Sequence, residues 1–278
     1  MTEKILVIGG NGKTGRKIVA RLTEQNQIVR VGSRNGSPAF DWEDANTWPA
    51  ALEGMDKAYI TFQPDLAVPG ALEKIEALTI LAKKSGLQKL VLLSGKGERE
   101  AELCEQVVIN SGINYTIVRA SWFNQNFSES FFLDPILAGH VALPKPEAKV
   151  PYVDTDDIAD VAVAALLNDE HNGKIYQLTG ERLLTFKEVV DEINAATGRT
   201  ISFTPITLTA YTGMLKEQGV PKDFIWLIGY LFEELLSDTS ISERSNDIEK
   251  VLGRKPKDFS TYVKETAATG VWNQPIPA

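Results

Sequence analysis

The sequence predicts an α/β protein, a doubly wound parallel sheet with a smaller, mostly helical C-terminal lobe for substrate. Three observations predict it. An unbroken apolar run, residues 5–8, enters a turn with glycine at 9, 12 and 15. Strand-like and helix-like segments then alternate with short connections as far as Arg119. Beyond about residue 150 that rhythm gives way to longer helical stretches.

Ile5, Leu6, Val7 and Ile8 show no polar alternation, as expected of a parallel strand covered on both faces. Gly9 permits a tight turn off the strand, Gly12 lets backbone approach a pyrophosphate, and Gly15 lets the helix over 14–24 pack close to the sheet. The run Gly9, Gly10, Asn11, Gly12, Lys13, Thr14, Gly15 is therefore the expected dinucleotide-binding element, its helix dipole and amides directed at the phosphates. The spacing is GxxGxxG rather than GxGxxG, so the reading leans on the strand–turn–helix context. An ordinary glycine-rich turn is one alternative. A P-loop is another, because GGNGKT contains GKT, but that motif needs glycine where Val7 stands and a later strand ending in aspartate.

The second strand, 28–31, leads into Gly32, Ser33, Arg34 and Asn35. No acid stands there to bind a ribose 2′-hydroxyl, whereas the Ser33 hydroxyl and the Arg34 guanidinium suit a 2′-phosphate, which predicts NADP(H) over NAD(H). The other reading of Arg34 is a solvated loop residue. Asp41 either accepts from the adenine amine or caps a helix over 43–51.

The alternation continues with a strand at 58–61, a helix at 70–85, a strand at 89–94, a helix at 101–111 and a strand at 115–119. Such repeated units imply right-handed crossovers and a Rossmann-type sheet. Thr155 or Asp156 opens a helix with the apolar stripe Ile158, Val161, Ala162 and Ala165, so Asp156 and Asp157 read as helix-opening acids rather than a catalytic carboxylate pair. A strand at 174–178 and helices over 185–197 and 209–238 follow. The expected division is an NADP-binding core over 1–150, with the remaining sheet elements and the helical substrate lobe over 151–278, the two forming one integrated unit.

Phe62, past the third strand, and Ser94, ending the fourth, stand where such folds flank the ribose and nicotinamide. Lys96 is either a donor to ribose or substrate or a solvated loop lysine. Trp122, Phe123, Asn126 and Phe127 form either the wall of a pocket for a flat substrate or plain core, and lobe residues near Tyr211 are expected to enclose the same acceptor. No catalytic residue is assigned.

At 278 residues, 43% hydrophobic and 24% charged, the composition is that of an ordinary soluble enzyme. A net charge of −8 argues against nucleic acid as the principal partner. The most apolar helical stretch, 225–236, carries Glu233 and Glu234 and is too short to span a bilayer. The N-terminus enters a strand directly with no signal peptide pattern, so a cytoplasmic location is expected. Cys104 is the only cysteine and reads as a half-buried helical thiol, which excludes a disulfide framework. His140 and His171 lie in polar segments expected to be exposed, and two isolated histidines do not make a metal site. Monomer and homodimer both stay open.

With GGNGKTG, SRNGSP, FDW, KLVLLS, YTIVRASWFNQNFSE and VPYVDTDDIA in that order, the chain resembles the NmrA-like branch of the atypical short-chain dehydrogenases/reductases over nearly its whole length. Within that branch it is similar to the reductases of ergot-alkaloid biosynthesis, the festuclavine and agroclavine dehydrogenase type, which share GGxGKT, SRxxSP, FDW and SWFMxNFSE. Quinone oxidoreductases of the branch read GATGxxG at the turn and are more distant. The resemblance implies a Rossmann fold, an NADP(H) site and reduction of an iminium, enone or quinone. It also implies a second function class, regulators that bind NADP without turning it over. Typical members of the superfamily use a YxxxK pair for proton donation, and no tyrosine here has lysine four residues later. An iminium, already positive, accepts hydride without a proton donor.

Overall fold

The computed structural model describes residues 2–273. In chain order its strands and α-helices are β1 (Lys4–Ile8), α1 (Gly15–Glu24), β2 (Ile28–Gly32), α2 (Trp48–Leu52), β3 (Lys57–Ile60), α3 (Ala71–Lys84), β4 (Lys89–Gly95), α4 (Arg99–Ile109), β5 (Asn114–Ala120), α5 (Leu133–Ala138), β6 (His140–Leu143), α6 (Thr155–Leu167), β7 (Lys174–Leu178), α7 (Phe186–Thr197), β8 (Ser202–Pro205), α8 (Leu208–Glu217), α9 (Lys222–Glu233), α10 (Asp247–Leu252) and α11 (Phe259–Ala268). They fall into two compact units that interleave along the chain. The first holds residues 2–120, 155–178 and 246–254, and the second 121–154, 179–245 and 255–273. The sequence reading divides the chain once, at residue 150, whereas the chain leaves the first unit at Ala120 and re-enters it at Thr155 and at Asn246.

The first unit is built on a six-stranded parallel sheet of order β2-β1-β3-β4-β5-β7. Ile5 to Ile8 are at most 1% exposed, which is why that strand lacks alternation. The sheet order turns back at β1, flanked by β2 and β3, so the crevice past the carboxyl ends of these strands is the place where such sheets bind ligands. Helix α6 buries more than the expected stripe, since Ala159, Val163 and Leu166 are buried too. The wider face follows from its neighbours, as α6 packs on α1 and α10 as well as on β3, β4 and β5.

Asp156 and Asp157 are not its caps. Asp156 binds Lys17 at 3.0 Å and Arg21 at 2.8 Å. Asp157, fully buried, binds Arg254 at 2.6 Å, and so the first turn of α6 is tied to α1 and α10. At the other end of α6 two buried lysines, unforeseen from the sequence, reach up from the sheet. Lys57 Nζ donates to Leu166 O at 2.6 Å, and Lys89 Nζ donates to Ala165 O, Asn168 O and the Asp169 carboxylate at 2.9–3.1 Å. Ammonium groups satisfy carbonyls that the helix itself leaves unbonded.

The second unit has an aromatic core in which Trp122, Phe127, Phe132, Phe186, Phe232, Phe259 and Trp272 are all buried. Its two-stranded parallel sheet, β6 with β8, has strands of four residues, too short for a period-two pattern to stand out. The long helical stretch expected over 209–238 is two helices, because the chain turns at Gly219 (φ +72°) and Pro221 precedes α9. Helix α7 opens with a capping box, Thr185 Oγ1 accepting from the Glu188 amide at 3.2 Å while the Glu188 carboxylate accepts from the Thr185 amide at 2.7 Å.

Two expectations about polar groups fail. His171 is 6% exposed rather than solvated, with Nδ1 and the Tyr176 hydroxyl 2.8 Å apart, and burial lowers its pKa. Cys104 is fully rather than half buried, and burial pushes its thiol up to about 12. Among the described residues no helix is long and apolar enough to cross a membrane, and no group of three or more His, Cys, Asp or Glu could hold a metal ion.

Candidate functional site

Past the carboxyl ends of β1, β2 and β3 the first unit holds a cavity of about 720 Å³. The glycine turn forms one side of it through Gly9, Asn11 and Gly12, the end of β2 another through Gly32, Ser33, Arg34 and Asn35, and the rest comes from Ile8, residues 40–43, Gln63 and Pro64.

The turn's three glycines serve distinct geometries. Gly9 has φ +70°, and a Cβ on it would lie 2.4 Å from Thr61 Cγ2. A Cβ on Gly15 would stand 2.1 Å from Gly9 O, inside the backbone of the turn, so α1 begins where it does because residue 15 has no side chain. At Gly12 a Cβ would meet Gly9 O at 3.1 Å and then only Gln63 Nε2 at 3.8 Å. Gly12 and Gln63 both line the cavity, so there the missing side chain leaves ligand space rather than packing space. Part of the turn's polarity is spent internally, since the Gly12 amide donates to Gly9 O at 2.8 Å and the Gly9 amide to Gly32 O at 2.9 Å.

The other turn residues named from the sequence do not line the cavity. Gly10 is buried, its Cβ position 2.9 Å from Val31 Cγ1. Thr14 is 4% exposed and its hydroxyl bonds the buried Tyr59 phenol at 2.8 Å, fixing the start of α1 to β3. Lys13 is half-buried.

Ser33 and Arg34 stand at the cavity as the sequence suggests. Arg34 is exposed, and among the described residues its guanidinium has no hydrogen-bond or ion-pair partner. Asp41 does not cap a helix. Its Oδ1 accepts from the Glu43 amide at 3.0 Å, while Asp44 caps the short 3₁₀ turn Ala45–Thr47 ahead of α2. Trp42, missed in the sequence, lines the cavity beside it. Its indole is braced by Phe62 at 4.7 Å and Phe40 at 5.1 Å between ring centres, and Nε1 donates to Thr61 O at 3.1 Å. The FDW tripeptide could have signalled this, an aromatic flanking an acid just after the second strand.

Phe62 supports that ring from the core instead of reaching the cavity. Ser94 is buried and donates to Glu105 Oε1 at 2.6 Å. Lys96 is 5% exposed, so its solvated reading is wrong. In the second unit, Trp122 packs on Phe232, Phe186 and Phe132 at 5.7–6.2 Å, and Tyr211 on Phe232 at 5.5 Å. Both are core residues, as is Phe127, whereas Phe123 and Asn126 are half-buried.

The NmrA-like family model matches residues 102–263, more than half the chain. The chain belongs to the NmrA-like family. Its relatives match along almost their whole length. Prestalk A differentiation protein A of Dictyostelium discoideum is 29% identical over 94% of this chain and 92% of its own. The NAD(P)H azoreductase of Xenophilus azovorans is 29% identical over 95% and 98%, and agroclavine dehydrogenase of Claviceps fusiformis 27% over 96% and 98%. Among solved structures, the triphenylmethane reductase of Citrobacter sp., complexed with NADP(H), superposes with a TM-score of 0.75 at 17% identity, covering 94% of this chain and 99% of that one. That likeness shows the fold.

Proposed function

We propose that this protein is an NADP(H)-dependent reductase that delivers hydride to a hydrophobic conjugated or cationic small molecule, an iminium, enone or quinone. The observation that carries the reading is the cavity, closed on one side by a side-chain-free Gly12 and offering at another an exposed, unspent guanidinium. The residues fit the cofactor. Gly12 gives a pyrophosphate access to backbone at the start of α1. Arg34, with Ser33 beside it, supplies charge-assisted donors to a 2′-phosphate, and Trp42 offers an indole face to adenine. The names of the azoreductase and agroclavine dehydrogenase relatives support a reductase, as does the cofactor in the Citrobacter enzyme.

The bound cofactor supplies hydride. The chain's own tyrosines are poorly suited to donate the accompanying proton. Tyr59, Tyr152 and Tyr262 are buried, and burial holds their phenols above the ordinary value, with Tyr211 pushed up to about 12. An acceptor that needs no such acid, the iminium, is the substrate class that suits this site best. Phe123 and Asn126, half-buried in the second unit, are the residues we assign to acceptor contact, with Lys96 as a donor.

The test is a screen of NADPH oxidation against cyclic iminium ions, enones and quinones. Turnover of any class supports the reductase, and preference for the iminium supports the finer reading. Tight NADPH binding with no turnover of any class would reassign the protein to cofactor sensing.

A further inference from the structure

The first unit holds a pair of carboxyl groups that the reductase reading leaves unused. Glu98, at the start of α4, is 6% exposed, and its carboxyl lies 2.2–2.4 Å from where a Cβ on Gly95 would stand, so glycine at 95 is what admits it. Its Oε2 is buried with no hydrogen-bond partner. The carboxyl is hydrogen-bonded to that of Asp65, whose Oδ1 also accepts from the Ala67 amide at 2.8 Å. Two ionised carboxylates have no donor to offer one another, so the contact requires a proton between them.

The surroundings favour keeping that proton. From α4, Glu100 and Glu105 add repulsion to Glu98. Glu105 engages Arg119 of β5 at 2.6–2.9 Å, and Glu102 lies 3.4 Å from the same guanidinium. Glu73 of α3 and the thiol of Cys104 complete the titratable groups on that side, and Lys96 is buried in the turn between β4 and α4. Burial, the larger cause, and these acids hold both carboxyl groups above the ordinary range, Glu98 well above it.

The pair is joined to the cavity through the chain. Asp65 directly follows Gln63 and Pro64, which line it, and Trp42 Nε1 holds the other end of the same loop at Thr61 O, 3.1 Å away. We propose that Asp65 and Glu98 are positioning residues for the cofactor cavity, a single proton shared by their carboxyl groups tying the Gln63–Pro64 wall to the turn after β4. The proposal rests on the reading that NADP(H) occupies this cavity. Because the folded pair holds its proton above the ordinary carboxyl range, its contribution is complete at low pH and is lost as pH rises through the pair's raised value. Cofactor affinity and thermal stability therefore fall together toward alkaline pH.

The experiment is calorimetric titration with NADPH, with melting temperatures, from pH 6 to 9.5 for the parent protein, Glu98→Gln, Asp65→Asn and Gly95→Ala. Each neutral amide imitates the protonated pair. Taking affinities relative to Glu98→Gln cancels the titration of the 2′-phosphate itself. The parent's relative affinity is expected to fall about tenfold for each unit separating the pair's values in free and bound protein. Glu98→Gln and Asp65→Asn should keep the parent's low-pH affinity throughout, and Gly95→Ala, which expels the Glu98 carboxyl, should bind weakly at every pH. Parallel pH curves for parent and Glu98→Gln would overturn the proposal. Failure of the parent to bind NADPH at any pH would instead overturn the cofactor assignment. It is told apart because the parent's melting temperature, unlike that of Glu98→Gln, would still fall over the same range.

Discussion

The Gly9–Gly15 turn and the Ala120–Phe127 segment are the two densest motifs of the chain, and the structure uses them in opposite ways. In the first, what is absent carries the meaning. Removing side chains at 9, 12 and 15 lets a turn, a helix and a cavity occupy one small volume. In the second, what is present is spent on itself, with Trp122 and Phe127 packed into rings of their own unit. An aromatic cluster in a sequence says that apolar area will be buried, without saying against what. A glycine pattern after a buried strand specifies local backbone geometry and therefore a place.

Substitutions inside the turn should separate most sharply. Gly15→Val puts a branched side chain into the Gly9 carbonyl, and we expect no cooperatively folded protein by circular dichroism. Gly12→Val should fold with near-parent melting and lose NADPH binding. Retained binding in that folded variant would remove the turn from the site. Trp122→Ala should then cost about 3–5 kcal/mol in denaturant unfolding, as for large aromatic truncations in cores. A variant of unchanged stability with only a raised KM would return Trp122 to the substrate pocket.

Smaller effects come from buried polar pairs. Tyr59→Phe leaves the Thr14 hydroxyl without its partner, costing about 1–3 kcal/mol, and should weaken NADPH binding by loosening the start of α1. Unchanged stability and affinity would show that Thr14 needs no such anchor. His171 is held below its ordinary value of 6.5, so its contribution is present above that value and is lost as pH falls through the lowered one. His171→Gln should flatten the acid limb of a melting-temperature profile, and an unaltered limb would assign it to other groups.

The parallel sheet was legible because each strand of the first unit is an apolar run between a turn and a helix, and Ser33 and Arg34 were legible because the second strand ends where a ribose lies. Trp42 and the loop at Gln63 and Pro64 were not, since their place at the cavity depends on contacts from 19 residues away, such as Trp42 with Thr61. Asp156 and Asp157 imitate helix-opening acids in sequence, and only the positions of Arg21 and Arg254 reveal their ion pairs. Lys57 and Lys89 look like ordinary strand-edge lysines until α6 is seen to end above them.

The central claim is that the cavity beside Arg34 is built for a nicotinamide dinucleotide carrying a 2′-phosphate. Calorimetric titration of the parent and Arg34→Ala with NADPH and NADH tests it directly. A charge-assisted pair of this kind is worth about 1.5–3 kcal/mol, so the account expects NADPH to bind more tightly than NADH to the parent. It also expects at least about a tenfold loss of NADPH affinity on truncation, with NADH scarcely affected. Equal losses for both cofactors, or NADH as the tighter ligand of the parent, would contradict it.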